Sequence, residues 1–133
     1  MKDKILKKTL PVSVIVPMKN SETTILETLN SLSKQNYPIG EIIIIDNVST
    51  DNSIQLVENY IKTSHLKTDL IKRKKNEGVG ASYNEGVKIA KSKLLVFMHS
   101  DSKLPTVNEL SKLVTPMKDE KVVASYSTVI LPH

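Results

Sequence analysis

The sequence predicts an α/β domain built on a mostly parallel sheet with helices on both faces, and three observations predict it. Short β-branched runs alternate with longer stretches of helical periodicity along the chain. The runs have mostly continuous apolar centres rather than a strict alternation, as strands buried on both faces do. Polar and glycine-bearing segments fall just after the runs, at the edge where such sheets bind ligands.

Each element has a local reason. Val12 to Val16 is β-branched at every position but Ser13 and reads as the first strand. Ser21 is placed to cap a helix carrying Ile25, Leu29 and Leu32 on one face, ending before Tyr37-Pro38 because a residue preceding proline avoids the α region. Glu41 to Asp46, with its consecutive isoleucines, reads as the second strand. Asp51 or Ser49 is placed to cap a second helix with Ile54, Val57 and Ile61 on its inner face. Asp69 to Lys72 reads as a short third strand, and a third helix is expected from near Gly80 to about Ser92. Lys93 to Met98 reads as the fourth strand. Thr106 is placed to cap a fourth helix bearing Val107, Leu110 and Val114, and Lys121 to Ser127 reads as a fifth strand. Residues 1–10 read as a basic N-terminal arm and residues 11–133 as one domain.

The bulk composition narrows the function classes. The 133 residues, 39% hydrophobic and 25% charged, suit one modest core. The absence of cysteine excludes disulfides and thiolate metal sites. Apolar runs such as Ile42–Ile45 and Leu94–Met98 fall far short of the roughly 18 residues a membrane-spanning helix needs. The basic start lacks the apolar stretch of a signal peptide. The expected location is therefore cytoplasmic, with peripheral contact to a membrane surface left open. The net charge of +5 admits an anionic partner. Its dense cluster, Lys72-Arg73-Lys74-Lys75, reads equally well as a solvated loop. Nucleic acid is not expected, since Phe97 and the tyrosines form no interleaved stacking platform.

Four segments carry candidate chemistry. Pro17-Met18-Lys19-Asn20-Ser21-Glu22 follows the first strand without the G-x-G-x-x-G of a dinucleotide site, and either presents Asn20 to a ligand or forms a helix entry. In Asp46-Asn47-Val48-Ser49-Thr50-Asp51, the Asn47 amide can both donate to and accept from a nucleobase edge, while Asp51 is better suited to capping. Asn76-Glu77-Gly78-Val79-Gly80-Ala81-Ser82-Tyr83-Asn84-Glu85-Gly86 opens the third helix with glycines that let backbone amides approach a phosphate. His99-Ser100-Asp101 offers an imidazole and a carboxylate two residues apart, either as ligands to one divalent ion or as a polar turn before Pro105. His65 and His133 have no such companion and read as surface residues.

Together these segments, IVPMKN, IIIIDNVSTDNS, NEGVGASYNEG and LLVFMHSDSKLP, resemble the family 2 inverting glycosyltransferases, from about Pro11 to Pro132. The family pattern is a strand ending in P-x-x-N, then D-[DN]-x-S-x-D, then N-x-G-x-x-x-x-x-N-x-G, then an acidic D-x-D-like motif. Each motif alone is weak, but their order and spacing are specific.

The resemblance implies a Rossmann-like GT-A fold and a nucleoside-diphosphate-sugar donor held with Mg²⁺ or Mn²⁺. It implies that Pro17, Met18 and Asn20 line the nucleoside pocket and that Asp46 and Asn47 contact the base. It implies a nucleotide role for Gly78, Gly80 and Asn84, with Gly86 completing the same motif. It makes Asp101 the main metal ligand, with His99 in place of the first acid, and Tyr83 stands where an arginine is common. The family's catalytic base and most of its acceptor site lie well beyond the metal motif, whereas this chain ends at His133. Glu109, Asp119 and Glu120 come too early to serve, so the base is unassigned and the acceptor part is expected to be missing. The acceptor (glycan, lipid or protein) is open, and a partner chain or homo-oligomer is expected. The rival readings are a non-catalytic nucleotide-sugar-binding module, a dehydrogenase, a nucleotidyltransferase and a receiver domain. The sequence after Val16 lacks the glycine fingerprint, the Gly-rich basic loop and the paired acids that the last three require.

Overall fold

A computed structural model describes residues 9–128. Residues 1–8 of the basic arm, the end of the chain and His133 lie outside the described residues. The sheet comprises β1 (Val12–Met18), β2 (Ile39–Asp46), β3 (Thr68–Lys72) and β4 (Leu94–Phe97) in the order β3-β2-β1-β4. All the pairings are parallel, with Ile15 opposite both Ile43 and Phe97, and Ile44 opposite Leu70. The helices are α1 (Ile25–Ser33), α2 (Ser53–Thr63), α3 (Val79–Ile89) and α4 (Glu109–Val114), the last continued by a 3₁₀ turn over Thr115–Lys118.

Alternation along β1 shows how the layers form. Val12, Val14, Val16 and Met18 share one buried cluster with Ile25, Leu29 and Leu32 of α1, Val57 of α2, and Leu110 and Val114 of α4. Ile15 points the other way and meets α3, where Gly86 lies so close that an added Cβ would collide with Ile15 Cγ2. The chain therefore winds from β1 to β3 with α1 and α2 on one face. It then returns across the other face through α3 to β4, as right-handed crossovers demand. The reversal of strand order puts the switch point at the carboxyl ends of β1 and β4.

The predicted fifth strand does not form: Lys121–Ser127 pairs with no strand among the described residues. Ser125 Oγ instead donates to the Leu113 carbonyl at 2.5 Å, tying the segment to the end of α4. Val123 and Tyr126 are left 89% and 95% exposed, and a groove of about 540 Å³ opens between β4 and this segment. The helix starts also move. Ser21 uses its carbonyl, not its hydroxyl, to open the turn before α1, accepting from the amides of Thr24 and Ile25 at 3.1 and 2.9 Å. Thr106 bonds Glu109 Oε1 at 2.5 Å, and the cap of α4 falls two residues later than expected, at Asn108. The third helix stops at Ile89 rather than Ser92 because Ser92 N–H and Lys91 N–H turn to Ser13 Oγ and Glu41.

Candidate functional site

The loops after β1 and β2 are laced into one rim. Asn20 N–H donates to Ser49 Oγ at 2.9 Å, and Thr50 N–H returns a bond to Asn20 Oδ1 at 2.8 Å. Ser21 N–H reaches Ser53 Oγ at 2.7 Å, Glu22 N–H reaches Asp51 Oδ2 at 3.1 Å, and Asn52 N–H reaches Glu22 Oε2 at 2.9 Å. Asn47 N–H bonds the Met18 carbonyl at 2.8 Å. Asp51 also takes the Ser53 N–H at 2.9 Å, but the helix cap falls one residue later than expected, at Asn52, which makes no side-chain cap bond. Partial desolvation pushes the Asp51 carboxyl up, but the bonds from Ser53 and Glu22 outweigh it and hold the carboxyl below its ordinary value. Asn20 (φ 47°) and Val48 (φ 61°) sit in the left-handed region. Asparagine tolerates that backbone, whereas a β-branched valine is strained there.

Within this rim Pro17, Met18, Asp46 and Asn47 are buried, while Lys19 and Asn20 are exposed. Asp46 Oδ2 accepts from Ser49 N–H at 3.1 Å. Its Oδ1 has no partner, and it is the one buried side-chain polar atom so left among the described residues. A buried carboxylate oxygen without a donor is costly, and such an atom at a ligand-binding edge marks a place for a donor from outside. Asn47 differs: its Nδ2 donates to Ser82 Oγ at 2.7 Å and its Oδ1 accepts from Arg73 Nη1 at 3.4 Å. Its amide thus joins β2 to α3.

Arg73 is the residue that sequence reasoning missed. Its side chain is only 11% exposed and sits among Asn47, Ser82, Glu77 and Glu85, with Nε 3.2 Å from Glu85 Oε2. Lys72 pairs with Glu58. The basic run therefore splits into an inward hub, a surface ion pair and two exposed lysines, Lys74 and Lys75. The Glu at position i+4 from Arg73 was the available signal.

The mouth of α3 is open. Gly78, at φ 89°, requires glycine's freedom, and its N–H is held by Asn76 Oδ1 at 3.0 Å. A Cβ at Gly80 would meet nothing within 4 Å, so the close approach expected there is space rather than a contact within the chain. Asn84 is exposed on the same helix.

The loop after β4 is fixed at its middle residue. Ser100 Oγ lies 2.7 Å from Ser21 Oγ, and the Ser100 carbonyl accepts from Thr28 Oγ1 at 2.9 Å. His99 and Asp101, on either side, are exposed. The His99 ring stands edge-on to Tyr83, centroids 6.3 Å apart, and Tyr83 stands edge-on to Phe97 at 5.2 Å. Burial raises the Tyr83 phenol above its ordinary pKa. Among the described residues no three of His, Cys, Asp and Glu gather into a metal cage. His99 and Asp101, an imidazole and a carboxylate two residues apart on this loop, are its candidate donors to a divalent ion.

Comparison with known proteins shows the family and the fold. Residues 13–130 match the family described as Glycosyl transferase family 2. Over 91 residues, 67% of this chain, the sequence is 40% identical to the poly(ribitol-phosphate) beta-N-acetylglucosaminyltransferase TarS of Staphylococcus aureus, of which the match covers 16%. The crystal structure of S. aureus TarS 1-349 in complex with UDP-GlcNAc superposes with a TM-score of 0.72 at 34% identity, over 84% of this chain and 32% of that one. The mannosyltransferase PcManGT from Pyrobaculum calidifontis, in complex with GDP-Man and Mn²⁺, superposes with a TM-score of 0.76 at 26% identity, over 82% and 32%. The parallel sheet and its helices are thus those of the GT-A transferases. The chain spans a third or less of each of these three proteins.

Proposed function

The chain belongs to glycosyl transferase family 2, and from that membership we propose that it binds a nucleoside-diphosphate sugar across the carboxyl ends of its strands for inverting transfer to an acceptor. The observation that carries the reading is Asp46 Oδ1, a buried acceptor without a donor at the end of β2. A nucleobase N–H supplies the missing donor. Pro17, Met18 and Asn20 bound the nucleoside on the β1 side. Asn47 orders the wall against α3, whose glycine mouth at Gly78 and Gly80, followed by Asn84, leaves room for the rest of the donor. His99 and Asp101 hold the divalent ion, which when bound neutralises charge on the leaving diphosphate. A cytoplasmic location, beside a membrane where the acceptor is a lipid, accords with this reading; no helix of the described residues is long and apolar enough to cross a membrane.

A second reading is a donor-binding module that needs a partner chain for transfer. The groove between β4 and the segment after α4, with Phe97, Val123 and Tyr126 exposed beside it, favours it, because exposed apolar surface of this kind suits a covering partner. Incubating the purified chain with radiolabelled UDP-GlcNAc and GDP-mannose, with Mn²⁺, separates the two. Release or transfer of sugar supports the enzyme. Saturable donor binding without turnover supports the module. Failure to bind either donor rejects both readings.

A further inference from the structure

Two carboxylates stand beside the mouth of α3. Glu77 precedes Gly78, the cap of the helix, and Glu85 lies next to Asn84 on the helix itself. Negative charge at a helix start competes with any incoming anion for the same free amides. Both carboxylates are engaged by Arg73 instead. Its Nη2 bonds Glu77 Oε2, and its Nε lies 3.2 Å from Glu85 Oε2. Its Nη1 reaches Asn47 Oδ1 and Ser82 Oγ, each at 3.4 Å, and its backbone N–H bonds the Asp46 carbonyl at 3.0 Å. The Arg73 side chain is 11% exposed and that of Glu77 is 53% exposed, so the cation is the fixed member and the glutamate is drawn to it. The neighbouring cations are placed otherwise: Lys72 pairs with Glu58, while Lys74 and Lys75 are exposed.

We propose that Arg73 is a positioning residue for the donor: it neutralises Glu77 and Glu85 and holds their carboxylates off the glycine mouth, so that the mouth accepts an anion. The inference rests on the donor-site reading above. Without the guanidinium, two uncompensated carboxylates repel the phosphates that the mouth would take. Arg73 acts through these carboxylates, since each of its three side-chain nitrogens already has a partner in the chain. The task suits arginine, whose rigid fork spans several acceptors at once, whereas a lysine ammonium is a point charge.

The test measures binding of UDP and of GDP, each with Mn²⁺, by calorimetry for the wild type, Arg73→Met, Glu77→Gln and the double variant. Arg73→Met is expected to weaken nucleotide binding about tenfold, the loss left by an uncompensated member of a charge pair. Adding Glu77→Gln to Arg73→Met is expected to recover most of that loss. The loss is also expected to shrink as KCl rises from about 0.05 to about 0.5 M, because salt screens the freed carboxylates. An arginine that only braces the fold would give neither the rescue nor the salt dependence. Urea midpoints verify folding, and should Arg73→Met not fold, Arg73→Lys takes its place with the same rescue by Glu77→Gln. Wild-type binding that the Arg73 variant leaves unchanged, or a loss that Glu77→Gln does not relieve, overturns the Arg73 inference and leaves the donor site standing. A wild type that binds neither nucleotide overturns both.

Discussion

Replacing Gly86 by alanine tests whether the seat of α3 on the sheet is as tight as the structure shows. The added methyl would overlap Ile15 Cγ2 and lie 3.1 and 3.2 Å from Ile15 Cγ1 and Cδ1. Ordinary carbon contacts sit at about 3.5–4.0 Å. Ile15 cannot step aside: it is fully buried on β1, paired on both sides, and branched at Cβ. Overpacking of this kind costs about 1–3 kcal/mol, and a clash on a side chain with no free direction falls at the upper end. Alanine's better helix propensity returns about 1 kcal/mol. The expected result is a net loss of about 2 kcal/mol in urea denaturation. Gly80→Ala is the control, since it lies in the same helix with nothing within 4 Å of the added carbon, and it is expected to hold or slightly raise stability. The Asn47–Ser82 bond at 2.7 Å joins α3 to the Asp46 loop, so a displaced α3 in Gly86→Ala also weakens nucleotide binding. A Gly86→Ala variant as stable as the wild type would refute the packing argument.

Other outcomes follow from the same contacts. Glu41, 3% exposed at the far end of the sheet, is pushed up by burial, but Ser13 Oγ at 2.7 Å, Lys91 N–H at 2.6 Å and the charges of Lys67 and Lys91 outweigh burial and lower its pKa. A lowered folded pKa gives stability that is present above the unfolded value of 4.5 and lost as pH falls through the folded value. Glu41→Gln is therefore expected to cost about 1.5–3 kcal/mol in urea at neutral pH, shrinking below pH 4.5; a pH-independent difference would contradict the linkage. Val48→Asn, which relieves a β-branched residue at φ 61°, is expected to stabilise by about 1 kcal/mol, and an unchanged or lowered urea midpoint would show that the strain is absent. Tyr83→Ala is expected to weaken Mn²⁺ affinity while Tyr83→Phe retains it, because the ring beside His99, not the hydroxyl, does the positioning; equal affinities in both variants would contradict that.

The layered fold was legible because β1, β2 and β4 are mostly apolar, with Ile42–Ile45 and Leu94–Phe97 uninterrupted, a pattern that strands covered on both faces require. Lys121–Ser127 looked like another such strand. Nothing local revealed that Ser125 would bind the end of α4 and leave Val123 and Tyr126 uncovered. Boundaries drifted for the same reason: Ser21 looked like a helix cap, yet its hydroxyl is drawn to Ser100, 79 positions away. At the site, the loops that converge could be located from where the strands end. The partners within them could not. Asn47 with Ser82, Asn20 with Thr50, and Arg73 with Glu85 are meetings set by strand order and register, which no single stretch of sequence encodes. The substitution of His99 for an acid was visible in the sequence, but the aromatic brace behind it emerges only when α3 and β4 are placed side by side.

Calorimetric titration of the wild type and Asp46→Asn with UDP and with GDP, in Mn²⁺, tests the central claim most directly. Asparagine keeps a carbonyl for the Ser49 N–H, so the loop retains its shape while the unpartnered anionic oxygen is removed. The account predicts that the wild type binds at least one nucleotide and that the variant binds it about 10- to 100-fold more weakly, the loss of one hydrogen bond to a charged group. Equal affinity in the two proteins, or no nucleotide binding by the wild type, would contradict it.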